Sequence, residues 1–480
     1  MSRLLDDIRR VIRINSSCPH GNEELVNYLV ANIREIGLKA DGQMVMHSLE
    51  DISKRQFNLV AVLGDPLVER KIKKGLLLLT HLDTAESGVV KNWTTNDGAP
   101  FNLVERNDCV YGLGTADAKI DFLCKLAAMK QFIGKKIKAP IYLVGTCGSE
   151  YGMFGCRYLL QSLTVNPKYV LVGMPTNLEL VTEQKPVYGL PLAIEFQVVE
   201  KDARGFNRRV FLKAFGKCTH HAAPTTGENA ILKLLAFLKK AHESGFELRV
   251  ARLEGRSFSD QVPDQAQVEF FLTAHQFEDF KSFFSDIIGD QSDFQMEMGG
   301  LGDIGISFLP ENVFFCLLDV IELFSEALKD FPDSTLSLGQ CRQTRGRVSL
   351  YYDFRPSSEG EAVKQFDEVQ KKVQRLWSRY PALNLKVKKE IRIPALNTNL
   401  EDEWVQICRS ATESLGVPLG TDHKHLSCEA GFFSQKGYQS AAFGPGVGVG
   451  NSHTPHENVP IAQIEQAVRF YVHMIERVCL

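Results

Sequence analysis

The sequence predicts an α/β protein: a mostly parallel mixed sheet covered by helices on both faces, interrupted by an inserted α+β domain. Three observations carry that expectation. Short, continuous apolar runs (FNLVAVLG, KKGLLLLTHLD, IYLVGTCG and KYVLVGMPT) recur early in the chain, as strands buried on both faces would require. Helical patterns separate them, giving the strand–helix alternation of an open parallel sheet. Beyond Pro186 the runs become longer and alternate, and from Ile393 the first rhythm returns.

Taken in order, GNEELVNYLVANIREIG has apolar residues at helical spacing, with Asn22 as its cap and Gly37 as its stop. FLCKLAAMKQFIGKK and RYLLQSL read as further helices. LPLAIEFQVV, RRVFLKAFG, ELRVARLEG, AQVEFFLTA and GRVSLYYDF read as longer strands, with ENAILKLLAFLKKAHESG as a helix among them. Residues 276–335, rich in Phe and Asp, read as extra helices on the insertion. YQSAAFGPG is a last buried strand and IAQIEQAVRFYVHMIERV a closing amphipathic helix. The expected domains are therefore 1–185 and 393–480 as one discontinuous unit, with 186–392 inserted as an enlarged second domain.

Composition narrows the function classes. A net charge of −3 gives no electrostatic footprint for nucleic acid or an anionic membrane. No stretch approaches the roughly 20 apolar residues that span a bilayer. The opening MSRLLDDIRRVIRIN mixes acids and bases, so it reads as an amphipathic helix and not as a signal peptide. The 11 cysteines form no CxxC pair, which argues against a zinc ribbon or a disulfide framework and makes a reducing cytoplasm the expected location.

Ligands of open α/β sheets bind outside the carboxyl ends of the strands, and four such ends carry metal-ligating residues. LLLLTHLDT ends in His81 and Asp83, VYGLGTADAK puts Asp117 in a glycine-rich turn, and YLVGTCGSE ends in Glu150. FGPGVGVGNSHTPHE brings His453, with Glu457 four residues on. Two imidazoles and two carboxylates suit Zn²⁺, with Mn²⁺ or Co²⁺ as alternatives. Asp83 would then orient His81. GPGVGVGN does not fit GxGxxG, and the glycines of GSEYG are wrongly offset for a nucleophile elbow at Ser149.

In their order and spacing, THLDT, YGLGTADAK, GSEYG, VGMPT, GKCTHHAAPTTGENA, DFR and HTPHE resemble the dinuclear-zinc hydrolases that include acetylornithine deacetylase, succinyl-diaminopimelate desuccinylase and carboxypeptidase G. The resemblance implies a zinc-exopeptidase-like catalytic domain with a lid and dimerisation domain. It also implies an amide-cleaving activity on an N-acyl amino acid or small peptide, and a homodimer formed through the lid. It assigns His81 to one metal, Asp117 as the carboxylate bridging two metals, and Glu150 and His453 to the second. His220 matches the lid histidine that polarises the substrate carbonyl; the spacing from Gly216 to Pro224 favours it over His221. Arg355 matches the arginine that grips a substrate carboxylate, and Asn229 falls among the substrate-binding positions. A surface ion pair is the competing reading of Arg355.

Three departures stand out against that pattern. Two adjacent glutamates are expected after the IYLV strand, the first as general base; here Ser149 holds the base position and Glu150 the ligand position. The glutamate of GEPT, normally a ligand of the first metal, is Met174, a soft thioether that suits such ions poorly. Asp260 stands where the family usually has asparagine. The residues therefore predict one metal on Asp117, Glu150 and His453, a second site without its carboxylate, and an altered base such as Asp83, Glu457 or a substrate group. The rival expectations are a catalytically inactive relative that binds a ligand or acts as a scaffold, and a purely structural dimer.

Overall fold

The computed structural model describes residues 2–47, 53–65, 74–162, 165–198, 205–256, 261–289, 293–301, 308–327, 333–416 and 427–480. Asp260 lies outside them. The chain divides into two compact units, Met1–Pro186 with Arg392–Leu480, and Val187–Ile391.

The first unit is built on a six-stranded sheet. Its order is Lys39–Val45, Gln56–Leu63, Ile141–Thr146, Leu76–His81, Tyr169–Gly173 and Gln439–Phe443. The last four strands are parallel, and the first two run antiparallel at one edge. Leu76–His81, Ile141–Thr146 and Tyr169–Gly173 are buried at every residue, which explains why their sequences are apolar without alternation. Gln56–Leu63 was expected to be buried on both faces. It lies one strand in from the antiparallel edge, and several of its residues are half-exposed. The core gathers Ile8, Leu29, Leu78, Phe122, Trp404 and Phe470 from the sheet and its flanking helices.

Asn22 occupies the expected cap of helix Glu23–Glu35, yet its side chain makes no cap hydrogen bond. Its Nδ2 donates to Phe57 O at 2.7 Å, and its Oδ1 accepts from Phe57 N–H at 2.8 Å. The amide thus copies a β-ladder pairing and ties the helix start to a strand.

In the second unit, eight strands follow one another in the sheet, each antiparallel to the next. Helices Ala230–Glu243, Ala274–Ile288, Glu311–Ala327 and Glu359–Trp377 belong to this unit. Residues 276–335 are not helical throughout: the edge strand Phe294–Leu301 lies between two of these helices. The phenylalanines of this region have a packing purpose, because the rings of Phe280, Phe283, Phe284 and Phe294 surround Phe237 with centroids 5.5–6.1 Å away. Among the described residues, no helix is long and apolar enough to cross a membrane.

The Asn22 pairing yields a test. Asn22→Ala strands both Phe57 backbone groups and should lower stability by about 1–3 kcal/mol in chemical denaturation. Asn22→Ser, an equally good helix cap, should lose as much as alanine does; a serine that behaves like asparagine would show that capping is what matters.

Candidate metal centre

The parallel strands of the first unit end at the same rim, and each end carries a part of the site. His81 closes its strand and is paired in register with Thr146, after which the chain turns into Ser149–Tyr151. Gly148 and Gly152 bracket that turn at φ +71° and +86°, a backbone region glycine enters without strain. A side chain at Gly148 would also collide with the Phe154 ring. The glycines of GSEYG therefore shape the turn that presents Glu150. Leu79 pairs with Val172, and the buried Met174 directly follows the end of that neighbouring strand, Tyr169–Gly173.

Asp117 stands at the centre. Its Oδ1 lies 2.8 Å from His81 Nε2, and its Oδ2 lies 3.0 Å from His453 Nε2. His453 Nε2 is also 3.2 Å from Glu150 Oε1. Ligand atoms of His81, Asp117 and Glu150 all fall within 4.8 Å of one another, close enough to hold an ion. His453 adopts φ +62°, a conformation that costs a non-glycine residue about 1–3 kcal/mol and recurs at functional sites.

Charge balance follows from this packing. Burial pushes both imidazoles down, but the carboxylates outweigh it: Asp117 chiefly for His81, Glu150 and Asp117 for His453. Both rings are held well above the usual histidine range. Burial alone would raise Asp117, yet the two histidines keep it well below the usual carboxylate range. Glu150 is raised, with burial as the leading cause. A divalent ion held here would compete with protons for these ligands.

Supporting carboxylates hold the turns. His81 Nδ1 donates to the main-chain carbonyl of Asp83 at 2.9 Å, leaving Nε2 to face Asp117. The Asp83 carboxylate accepts the N–H groups of Ser149 and Glu150, each at 3.2 Å, and the Cys18 thiol at 3.4 Å. Glu457 Oε1 accepts the N–H groups of Gly114, Ala116 and Asp117 at 2.9–3.2 Å, and so fixes the turn that carries Asp117. Burial, helped by the charge of Asp117, pushes Glu457 up to about 7. Of the expected replacement bases, Asp83 has both carboxylate oxygens engaged by backbone donors and Glu457 has one, its Oε2 being buried with no hydrogen-bond partner among the described residues.

Sequence reasoning missed Glu429. It is 1% exposed, and its Oε1 accepts from Thr146 Oγ1 at 2.9 Å. The only signal was a single acid in SCEAGFF, immediately ahead of the six-residue helix Ala430–Gln435.

His220, Asn229 and Arg355 belong to the second unit. His221 is buried, with Nδ1 2.8 Å from Ser337 Oγ, whereas His220 is half-exposed and accepts the Ala222 N–H at 3.0 Å. Asn229 caps helix Ala230–Glu243, accepting from the N–H groups of Ile231 and Leu232, and donates to Leu338 O at 2.7 Å. Arg355 is no surface residue: it is 1% exposed and donates to Asp353 at 2.7 Å.

The hold of Glu457 on the Asp117 turn can be measured. Glu457→Ala should weaken binding of a divalent cation about 10–100-fold in a chelator-competition titration. Glu457→Gln retains the acceptor oxygen and should lose less. Equal affinity in alanine variant and wild type would remove Glu457 from the account.

Residues 77–477 match the model of peptidase family M20/M25/M40. An acetylornithine deacetylase from Photorhabdus laumondii is 35% identical over 171 residues, 35% of this chain and 40% of that protein. One from Aliivibrio fischeri is 30% identical over 247 residues, 49% of this chain and 55% of that protein. The chain therefore spans about two-fifths to just over half the length of these curated relatives. The crystal structure of an M20 family metallo-carboxypeptidase from Sulfolobus solfataricus superposes with a TM-score of 0.58 at 16% identity, covering 99% of both chains. With most of its length matched and the fold shared, this chain belongs to peptidase family M20/M25/M40.

Proposed function

We propose that this chain is a metal-dependent hydrolase that cleaves the amide bond of an N-acyl amino acid or small peptide, using one tightly held metal. The observation that carries the reading is that Asp117 Oδ2 and Glu150 Oε1 lie 3.0 and 3.2 Å from His453 Nε2, three N/O donors in close reach of one another. That donor set fits Zn²⁺, with Mn²⁺ and Co²⁺ as alternatives. A divalent ion there would polarise the scissile carbonyl and acidify water at neutral pH. The relatives named acetylornithine deacetylase support amide cleavage as the reaction class.

The remaining roles are assigned to this chain's own side chains. Asp83 and Glu457 orient the ligands through His81 and the Asp117 turn. His220 would donate a hydrogen bond to the developing oxyanion, and Arg355 would hold a substrate carboxylate, a task its fork of donors suits. Asn229, already engaged as a helix cap, would act by shaping that unit. A homodimer through the inserted unit and a cytoplasmic location belong to the same reading. Ser149 at the base position and Met174 at a ligand position favour a second reading, in which the family fold binds a ligand without turnover.

Metal content and turnover separate the two. Elemental analysis of protein purified without added metal should give about one zinc per chain, lost in His453→Ala. A panel of N-acetyl amino acids and dipeptides should reveal slow hydrolysis, accelerated by Ser149→Glu, because a positioned general base is worth roughly 10²–10⁴-fold in rate. Zinc without turnover in either protein would favour the ligand-binding reading; absence of zinc, even after it is supplied, would end the hydrolase reading.

A further inference from the structure

The His81 side of the centre contains a carboxylate with an unsatisfied oxygen. Glu429 is tied at Oε1 to Thr146, the residue paired in register with His81 at the rim of the sheet. Its Oε2 is buried and, among the described residues, has no hydrogen-bond partner. The carboxylate interacts electrostatically with His81 and Asp83. A buried carboxylate oxygen without a donor is unfavourable, and a nearby cation offsets that cost. Directly after the neighbouring strand Tyr169–Gly173, Met174 contributes no charge. Negative charge near His81 comes from Asp117 and Glu150, whose ligand atoms lie within 4.8 Å of it, from Asp83, whose oxygens are engaged by N–H donors, and from Glu429, whose Oε2 is not.

We propose that Glu429 is a positioning residue of the metal centre, supplying the charge that lets the His81 side attract a divalent cation more weakly than the His453 side. The proposal rests on the reading that Asp117, Glu150 and His453 hold a metal. Glu429 acts through charge and through its hold on Thr146 beside His81, not through contact with a substrate. The chain would then have one tight cation equivalent and one weaker one, the weaker depending on a residue outside every motif of the sequence.

Zinc titration of the full chain, by calorimetry and by competition with a chromophoric chelator, tests this. Wild type should show a tight and a weaker equivalent. Glu429→Gln, which preserves shape and the bond from Thr146, should weaken the second equivalent about tenfold or more and leave the first nearly unchanged. Thr146→Val should shift the second equivalent in the same direction, and the thermal transition of each metal-free variant verifies folding. Position 174 provides a readout that a merely structural glutamate would not move. Met174→Glu should tighten the weaker equivalent, and in that background Glu429→Gln should cost clearly less, a non-additive pair. A single equivalent in wild type, an unchanged second equivalent in Glu429→Gln, or equal losses in both backgrounds would overturn the proposal. Absence of the tight equivalent would overturn the metal reading beneath it as well.

Discussion

The carboxylate of Asp117 is half-buried between His81 and His453, one imidazole on each oxygen, and the local structure of the rim is arranged to hold it there. Opposite charges removed from water are stable only when geometry and further hydrogen bonds compensate their desolvation. Glu457 provides part of that compensation by gathering three N–H groups of the Asp117 turn on one oxygen. Asp83 provides another part, fixing the His81 ring through its carbonyl and the Glu150 turn through its carboxylate. The buried parallel strands set the spacing: His81 and Thr146 are register partners, so the His81 and Glu150 segments leave the sheet side by side.

The same arrangement does not depend on the side chains of Ser149 and Met174. Neither side chain belongs to the Asp83 or Glu457 clamps; Ser149 takes part only through its backbone N–H, which any residue but proline would supply. The scaffold that places Asp117, Glu150 and His453 is therefore independent of these two side chains.

Much of this could be read from the sequence because metal ligands cluster where strands end. THLD and GSEYG place His81 and Glu150 at or just past strand ends, and the loops of GTADAK and HTPHE bring Asp117 and His453 beside them. What could not be read depends on contacts between distant segments. Asn22 looked like a helix cap and instead pairs with the Phe57 backbone, since a local pattern does not reveal which strand passes by. Phe294–Leu301 was hidden in a Phe-rich stretch whose rings converge on Phe237 from one helix and one strand. Glu429 gave no signal because a lone acid before an apolar helix is ordinary; only its burial beside Thr146 and its electrostatic coupling to His81 mark it.

The most direct test of the Asp117-centred account is anomalous diffraction at the zinc edge, from crystals of the full chain grown with one equivalent of zinc. The account requires one strong peak bounded by Asp117, Glu150 and His453, with His81 on the other oxygen of Asp117. A principal peak elsewhere, or none at this rim, would contradict it.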